Sequence, residues 1–436
     1  MRRTALILAL SLLAPLAAAE NLSDIYRLAL ANDPVYAAAR EAYRAGLERL
    51  PQARATLLPS LNLSAFARNT DTDLSTVPGS TSTQPYGYGL TLAQPIYRKQ
   101  NLETLAQARL QVTLAEQQLR LAQQSLLLRT AQAYFDVLLA EDNLATAKAQ
   151  KQAFAEQLAQ AKRSFEVGAA TIVDSHEAQA RHDLAVAQEI AATNDLEVKR
   201  RALEKLIGRD APRLNPLKDP VALPLPSPTG MDPWVRQAQE QSLGVLLNQI
   251  AQEIARREVD RQRGGHYPTL DLTASYNDSR RTSTLPGSGS AVNLKSGTIG
   301  LEFNLPLYQG GGTDARVREA VANLERARHE LDDARQKAAL EAREAYLGVV
   351  SGAARTKALE QALVSNEAQL RSTKLGLEVG VRTRVDVLNA EQQRYATLRD
   401  LYAARYQVLL AGLQLKAAAG ILAEKDLEGI DALLAD

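Results

Sequence analysis

The chain has 436 residues, 45% hydrophobic and 23% charged, with 51 Lys and Arg against 50 Asp and Glu and a formal charge of +1. That balance offers no electrostatic footprint for a nucleic-acid partner, and none is expected. The complete lack of cysteine excludes disulfides, thiolate metal sites, a cysteine nucleophile and lipid attachment through an N-terminal cysteine. Aromatic residues are few (1 Trp, 14 Tyr and 5 Phe), while Ala, Leu, Gln, Glu and Arg dominate, a composition for long helices with thin, small-residue seams.

The chain opens Met1-Arg2-Arg3, runs apolar from Thr4 to Leu16 and reaches the small triplet Ala17-Ala18-Ala19. A basic start, a short greasy stretch and an A-x-A site predict a cleavable secretory signal over residues 1–19. Its removal takes Arg2 and Arg3 with it and lowers the formal charge from +1 to −1. No later stretch approaches the length of an apolar spanning helix, so the mature chain is expected to start near Glu20, in the periplasm or beyond it.

Proline placement divides the mature chain in two. None occurs from Ile96 to Ala211 or from Leu307 to Asp436, whereas seven crowd between Pro212 and Pro233. Proline removes a donor and clashes with the preceding helical turn, so residues 209–233 are expected to form a linker. The halves on either side repeat one another. Leu58-Pro59-Ser60-Leu61 matches Tyr267-Pro268-Thr269-Leu270, and Pro95-Ile96-Tyr97 matches Pro306-Leu307-Tyr308. Ala133-Tyr134 matches Ala345-Tyr346, Phe165-Glu166-Val167-Gly168 matches Leu377-Glu378-Val379-Gly380, and Leu206-Ile207-Gly208 matches Ala418-Ala419-Gly420. The spacing stays between 209 and 212 residues throughout, which marks a duplication.

The first repeat, 20–208, is predicted as a helix, strands at about 60–69 and 85–95, a long helix at about 99–165, a tip turn at 166–171 and a helix at 172–207. The second, 234–420, is predicted as a helix, strands at about 269–279 and 296–306, a long helix at about 312–377, a tip turn at 378–383 and a helix at 384–419, with a tail at 421–436. In the first long helix Leu105, Val112, Leu119, Leu126, Ala133, Ala140, Ala147, Phe154 and Ala161 recur every seven residues. A companion row holds Val137, Leu144, Leu158 and Phe165, with Lys151 the exception. Such a repeat demands helical neighbours, and the rod would be roughly 100 Å long at 1.5 Å per residue.

All four strands alternate. Leu61 and Leu63, Leu90 and Leu92, Leu270 and Leu272, and Leu301 and Phe303 oppose polar or small residues. A soluble α+β domain would cover that apolar face with helices. Strands of about ten residues also suit a membrane barrel, but four cannot close one, so several copies would be needed. The polar stretches Asn69 to Gln84 and Ser279 to Ser296 are expected as loops at the outer surface of such a barrel, with the helices in the periplasm.

Both tip turns carry Val-Gly-x-x-Thr-x-x-Asp. Gly168 and Gly380 can end a helix in the left-handed region, Thr171 and Thr383 can cap the next one, and Asp174 and Asp386 complete capping boxes.

The segment Val379-Gly380-Val381-Arg382-Thr383-Arg384-Val385-Asp386-Val387-Leu388-Asn389-Ala390, its echo Val167-Gly168-Ala169-Ala170-Thr171-Ile172-Val173-Asp174, the strand entry Leu58-Pro59-Ser60-Leu61, the strand exit Pro95-Ile96-Tyr97 and the tail Ala417 to Leu427 together resemble the TolC family of outer-membrane exit ducts. The resemblance covers essentially the whole mature chain. It implies a fold that is mainly α with membrane β: a homotrimeric duct with four strands per chain in one outer-membrane barrel, continued by an α-helical periplasmic tunnel. The implied partners are a periplasmic adaptor protein and an inner-membrane transporter of ABC, RND or MFS type, with outer-membrane lipid around the barrel and no cofactor. Without a lipidated cysteine the chain looks more like the TolC and type I secretion branch than the lipoprotein branch.

By position, the resemblance assigns Asp386 to a carboxylate ring at the periplasmic gate. It places Asn389 where the family has a second acid, and Arg382 in a latch against Asp174 of a neighbouring helix pair. The family's aromatic latch position is Leu377 here, so that part of the network is expected to be missing. The turns at Val167, Gly168 and Thr171 and at Val379, Gly380 and Thr383 are the expected adaptor contacts. Catalysis is not expected: His176, His182, His266 and His329 form no H-E-x-x-H pair, and Gly310-Gly311-Gly312 lacks the residues of a phosphate cradle. The competing expectation is a soluble periplasmic coiled-coil adaptor or scaffold.

Overall fold

The computed structural model describes residues 19–73, 80–283 and 292–435. The expected signal segment lies outside these apart from Ala19, as do residues 74–79 and 284–291 within the two polar stretches. Three helices come first: α1 (Leu22–Asn32), α2 (Pro34–Leu47) and α3 (Arg49–Ala55). Asp33 separates the first two because its carboxylate accepts the Tyr36 amide at 2.8 Å while Pro34 opens α2, where a missing N–H costs nothing. Next come β1 (Ser60–Ala67), β2 (Thr70–Asp73), β3 (Ser80–Tyr97), α4 (Lys99–Glu166) and α5 (Ile172–Ile207). The second half supplies α6 (Met231–Gln241), α7 (Leu243–Arg263), β4 (Thr269–Ser283), β5 (Val292–Asn304), α8 (Gly312–Glu378), α9 (Arg384–Ala418) and α10 (Lys425–Asp431). The chain divides into two compact units, one of Glu41–Gln118 with Leu246–Asp333, the other of the remaining segments.

The first unit holds the antiparallel sheet, ordered β1-β3-β4-β5 with β2 also on β3. Its register sorts side chains by face, since directly paired residues point the same way. Leu63 pairs with Leu90 and Leu90 with Tyr276; Leu92 pairs with Ala274 and Ala274 with Ile299; Leu272 pairs with Leu301. On the other face Asn62, Thr91, Ser275 and Thr298 form one row, and Ser64, Gly89, Asn277 and Ser296 another. Among the described residues the apolar face stands open. Leu63 is 73% exposed, Ile299 76% and Leu301 68%, which rules out a sheet buried inside a soluble α+β domain. β1 and β5 are the two outer strands.

The hairpins run further than the alternation alone indicates. β3 starts at Ser80 and β4 continues to Ser283, so much of the two polar stretches is ladder rather than loop. Thr, Ser and Asp there still pair, as Thr72 does with Thr81. The first strand is instead broken into β1 and β2 opposite Pro85, which has no donor, although its carbonyl accepts the Arg68 amide at 2.9 Å. β5 ends at Asn304, before the expected limit.

In the second unit, Leu126, Tyr134, Phe135 and Leu138 of α4 pack with Tyr26 of α1, Leu203 and Ile207 of α5, Tyr406 and Leu409 of α9, and Leu427 and Ile430 of α10. Two buried hydroxyls are satisfied: the Tyr134 Oη donates to the Asn215 carbonyl at 2.9 Å and the Tyr406 Oη to Asp142 Oδ2 at 2.7 Å. Burial pushes the Asp142 carboxyl above its ordinary value against the opposing effect of that bond. Where α8 passes α9, a Cβ on Gly352 would lie 2.7 Å from Val408 Cγ2, so the contact needs glycine. The proline-rich segment has no regular element between Ile207 and Met231, yet Met231 to Pro233 form the first turn of α6. The linker therefore ends earlier than its prolines suggest, because a proline in a first turn forfeits no helical bond. Trp234 is anchored there by its Nε1 donating to the Pro228 carbonyl at 3.0 Å.

Leu301→Arg, on the uncovered apolar face, is expected to cost about 2–4 kcal/mol of folding stability in lipid, and Thr298→Arg on the opposite face far less. Urea titration of vesicle-folded protein, read by heat-resistant gel migration, checks this; equal losses would contradict the assignment of faces.

Candidate functional site

The α4–α5 and α8–α9 turns share a backbone. At the first, the Gly168 amide donates to the Phe165 carbonyl at 2.9 Å and the Ala169 amide to Ser164 at 2.8 Å; at the second, the Val381 amide donates to Gly376 at 2.9 Å. Gly168 and Gly380 have φ of 73° and 79°, the left-handed region that favours glycine at a helix end. The next helix is then started by a reciprocal capping box at each turn. The Thr171 amide and hydroxyl donate to Asp174 Oδ2 at 2.9 and 2.8 Å, while the Asp174 amide donates to Thr171 Oγ1 at 3.3 Å. Thr383 and Asp386 repeat this at 2.9, 2.9 and 3.2 Å. Around both boxes apolar side chains stand in the open: Val167, Ile172 and Val173 at one tip, Val379 and Val381 at the other.

Both carboxyls are held below the ordinary aspartate range. For Asp174 the Thr171 hydroxyl is the largest cause, followed by the Thr171 amide, with the charge of Arg384 adding to them. For Asp386 the order is the Thr383 amide, then its hydroxyl, with help from Arg382.

Arg382, Asp386 and Asn389 line one polar groove of about 430 Å³ with Gln369, Ser372, Thr373 and Gln393. Asp174 is not among its walls, and among the described residues no ion pair joins Asp174 to Arg382 within the chain. Arg382 instead lies over Gly376: a Cβ there would meet its Cγ at 2.7 Å, and the Arg382 amide donates to the Gly376 carbonyl at 3.1 Å. Asn389 accepts from Arg181 Nη2 of α5 at 3.2 Å, and the same guanidinium bonds Gln392 and, at 3.0 Å, Glu177. Sequence reasoning did not single out Arg181 or Gly376. A signal for Gly376 was present, since its counterpart in the first repeat is Ser164.

Among the described residues no group of three or more His, Asp or Glu side chains converges as a metal site. His182 meets Asp183 at 3.3 Å on α5 and His266 meets Asp314 at 3.2 Å. Gly310 and Gly311 take φ of 62° and 76° in the joint before α8.

The sequence model of the family described as "Outer membrane efflux protein" matches residues 25–209 and 234–421, one segment in each half. "Outer membrane protein TolC" of Vibrio cholerae is 32% identical over 95% of this chain and 94% of its own. "Alkaline protease secretion protein AprF" of Pseudomonas aeruginosa is 33% identical over 94% of this chain and 86% of its own. The solved outer membrane channel CmeC of Campylobacter jejuni superposes with a TM-score of 0.78 at 19% identity, covering 95% of this chain and 90% of that one, which shows a shared fold. A match spanning both repeats excludes the soluble adaptor or scaffold.

Thr171→Ala is expected to cost about 1 kcal/mol of local helix stability. Because the native Asp174 pKa is depressed, the stability its box contributes is complete above the ordinary value of 3.8 and lost as pH falls through the native value. Hydrogen exchange of tip peptides should therefore separate Thr171→Ala from the parent protein by more above that value than well below it, where only the Asp174 amide bond to Thr171 Oγ1 remains to be lost.

Proposed function

The chain belongs to the outer membrane efflux protein family, and we propose that it works as one third of an export duct: three copies close a single outer-membrane barrel through which cargo leaves the cell. The observation that carries this is the sheet. Its apolar face is open and, among the described residues, its outer strands β1 and β5 have one unpaired edge each. In lipid an unpaired backbone edge costs several kcal/mol per group, so a four-stranded wall is tolerable only when further copies supply the missing neighbours. Three copies give twelve strands, within the range of membrane barrels.

The helices then stand in the periplasm. Asp386 supplies one carboxylate per chain to the entrance, with Asn389 beside it as a neutral amide. Arg382 and Asp174 are the residues for a latch between neighbouring helix pairs. The open valines at Val167 and Val379, on turns fixed by Gly168, Thr171, Gly380 and Thr383, suit an adaptor that docks on the tips. The adaptor would connect the duct to an inner-membrane transporter. The name of the relative AprF, an alkaline protease secretion protein, supports protein among the cargo; the transporter would be of ABC, RND or MFS type.

Purified protein is expected to run as a heat-resistant trimer and to give discrete single-channel steps in planar bilayers. A detergent-free, water-soluble monomer that never inserts would overturn the proposal. Asp386→Asn should reduce cation selectivity of the same channel, measured as a shift of reversal potential in a salt gradient.

A further inference from the structure

The open face of the sheet changes character along β4. Away from the helices, the residues of β4 on that face run Leu270, Leu272, Ala274, Tyr276, Asp278 and Arg280. Neighbouring strands follow the same order: Tyr276 pairs with Leu90, Asp278 with Tyr88 and Lys295, and Arg280 with Tyr86 and Asn293. Tyr86, Tyr88 and Tyr276 are all exposed, and the Tyr88 and Tyr276 rings stand 6.5 Å apart. Open tyrosines on a membrane strand mark the level of the lipid headgroups, with the ring in the apolar layer and the hydroxyl in the wet one. The distance agrees. From Leu270 to Arg280 the strand climbs roughly 33 Å, or about 25 Å of height at the usual tilt, which matches the apolar band of a membrane barrel. The helices attach at the Leu270 end, since α7 precedes β4 and α8 follows β5. With those helices in the periplasm of an outer membrane protein, Arg280 stands at the outer leaflet.

Arg280 carries a charge there that its neighbours leave uncompensated. Its Nε donates to the side-chain oxygen of Asn293 and its Nη1 to Tyr86 Oη at 3.2 Å, both neutral acceptors. Asp278, the next acid on this face, is engaged by Lys295 at 3.7 Å. Asp71 and Asp73 lie further from the apolar band, opposite Ser82 and Ser80. We propose that Arg280, with Lys295 diagonal to it on β5, binds the phosphate of an anionic lipid of the outer leaflet, one per subunit, while the acyl chains lie along the tyrosines and leucines below. This rests on the duct proposed above, which puts the face in lipid, and adds which lipid the face selects. A planar guanidinium offers phosphate two parallel donors, a fit that an ammonium lacks. Tyr86 and Asn293 hold the fork before the ligand arrives, so less side-chain freedom is lost on binding. Arg281, the next residue, pairs with Pro85 and Val292 and points to the opposite face, so it takes no part.

The test is native mass spectrometry of the detergent-held trimer, titrated with lipid A and, separately, with lipid A stripped of its phosphates. The parent protein is expected to take one lipid A per subunit and to hold the stripped lipid far more weakly. Arg280→Gln should weaken lipid A binding about tenfold, the worth of one charge-assisted contact, and Lys295→Gln by less. Arg281→Gln should bind as the parent does. Equal binding of the two lipids, parental binding in Arg280→Gln, or an equal loss in Arg281→Gln would overturn the site. Inorganic phosphate at the same concentration should not displace the lipid; displacement would mark a site for free anions and overturn the lipid as its ligand. Heat-resistant migration confirms assembly, and should Arg280→Gln not assemble, the phosphate preference of the parent and the loss in Lys295→Gln decide. A parent protein that forms no trimer and never enters lipid would remove the duct and the site together; a conducting trimer indifferent to lipid phosphates would remove the site alone.

Discussion

A β-sheet in lipid must satisfy every backbone N–H and C=O within the protein, and that demand organises everything else in this chain. The sheet answers half of it internally through long registers, such as β3 on β4 from Thr83 to Tyr97. The rest waits at β1 and β5. The alternation of Leu and Ile with Ser, Thr and Gly has no meaning for a sheet alone in water, where a large open apolar face would drive aggregation. It acquires one when the outside is hydrocarbon and the inside is wet. In the proposed duct, oligomerisation would be part of folding and not an addition to it.

The helical portion obeys a different rule, close approach of small side chains. Ala131, Ala140, Ala147 and Ala161 on α4 are all buried, as are Ala338, Ala339 and Ala342 on α8. Dispersion between such seams is modest per residue but accumulates over helices of 68 and 67 residues. Specific polar ties fix the lateral order. Lys199 pairs with Asp136 at 3.0 Å, Arg200 with Glu141 at 2.7 Å and Lys374 with the buried Glu391 at 2.8 Å. Arg405, itself buried, reaches Asp219 at 3.3 Å and Glu360 at 3.1 Å.

Legibility in the sequence depends on the range of the interaction that carries each feature. Heptad seams and strand alternation are local patterns, and residues they single out, such as Leu126, Ala140, Phe154 and Ala161, are buried in the helices. The box from Thr171 to Asp174 spans four residues and is readable as text. Partners distant along the chain are not. Lys151 breaks the companion row because it pairs with Glu189 of α5 at 2.5 Å, a fact no periodicity contains. Phe165, counted in that row, is exposed beside the turn. The hairpins outran their expected ends because Ser, Thr and Asp look like loop when isolated and like ladder when a partner strand is in register.

Both capping boxes close entirely within four consecutive residues, and this has a mechanical corollary. Such a turn keeps its shape whatever the tilt of the rods that bear it, as a rivet does at the end of a hinged strut. Any widening of the passage would then be taken up along the rods, at their alanine and glycine contacts and against the polar ties between them. The end pieces would be carried along intact, presenting a docking protein with the same face before and after the movement.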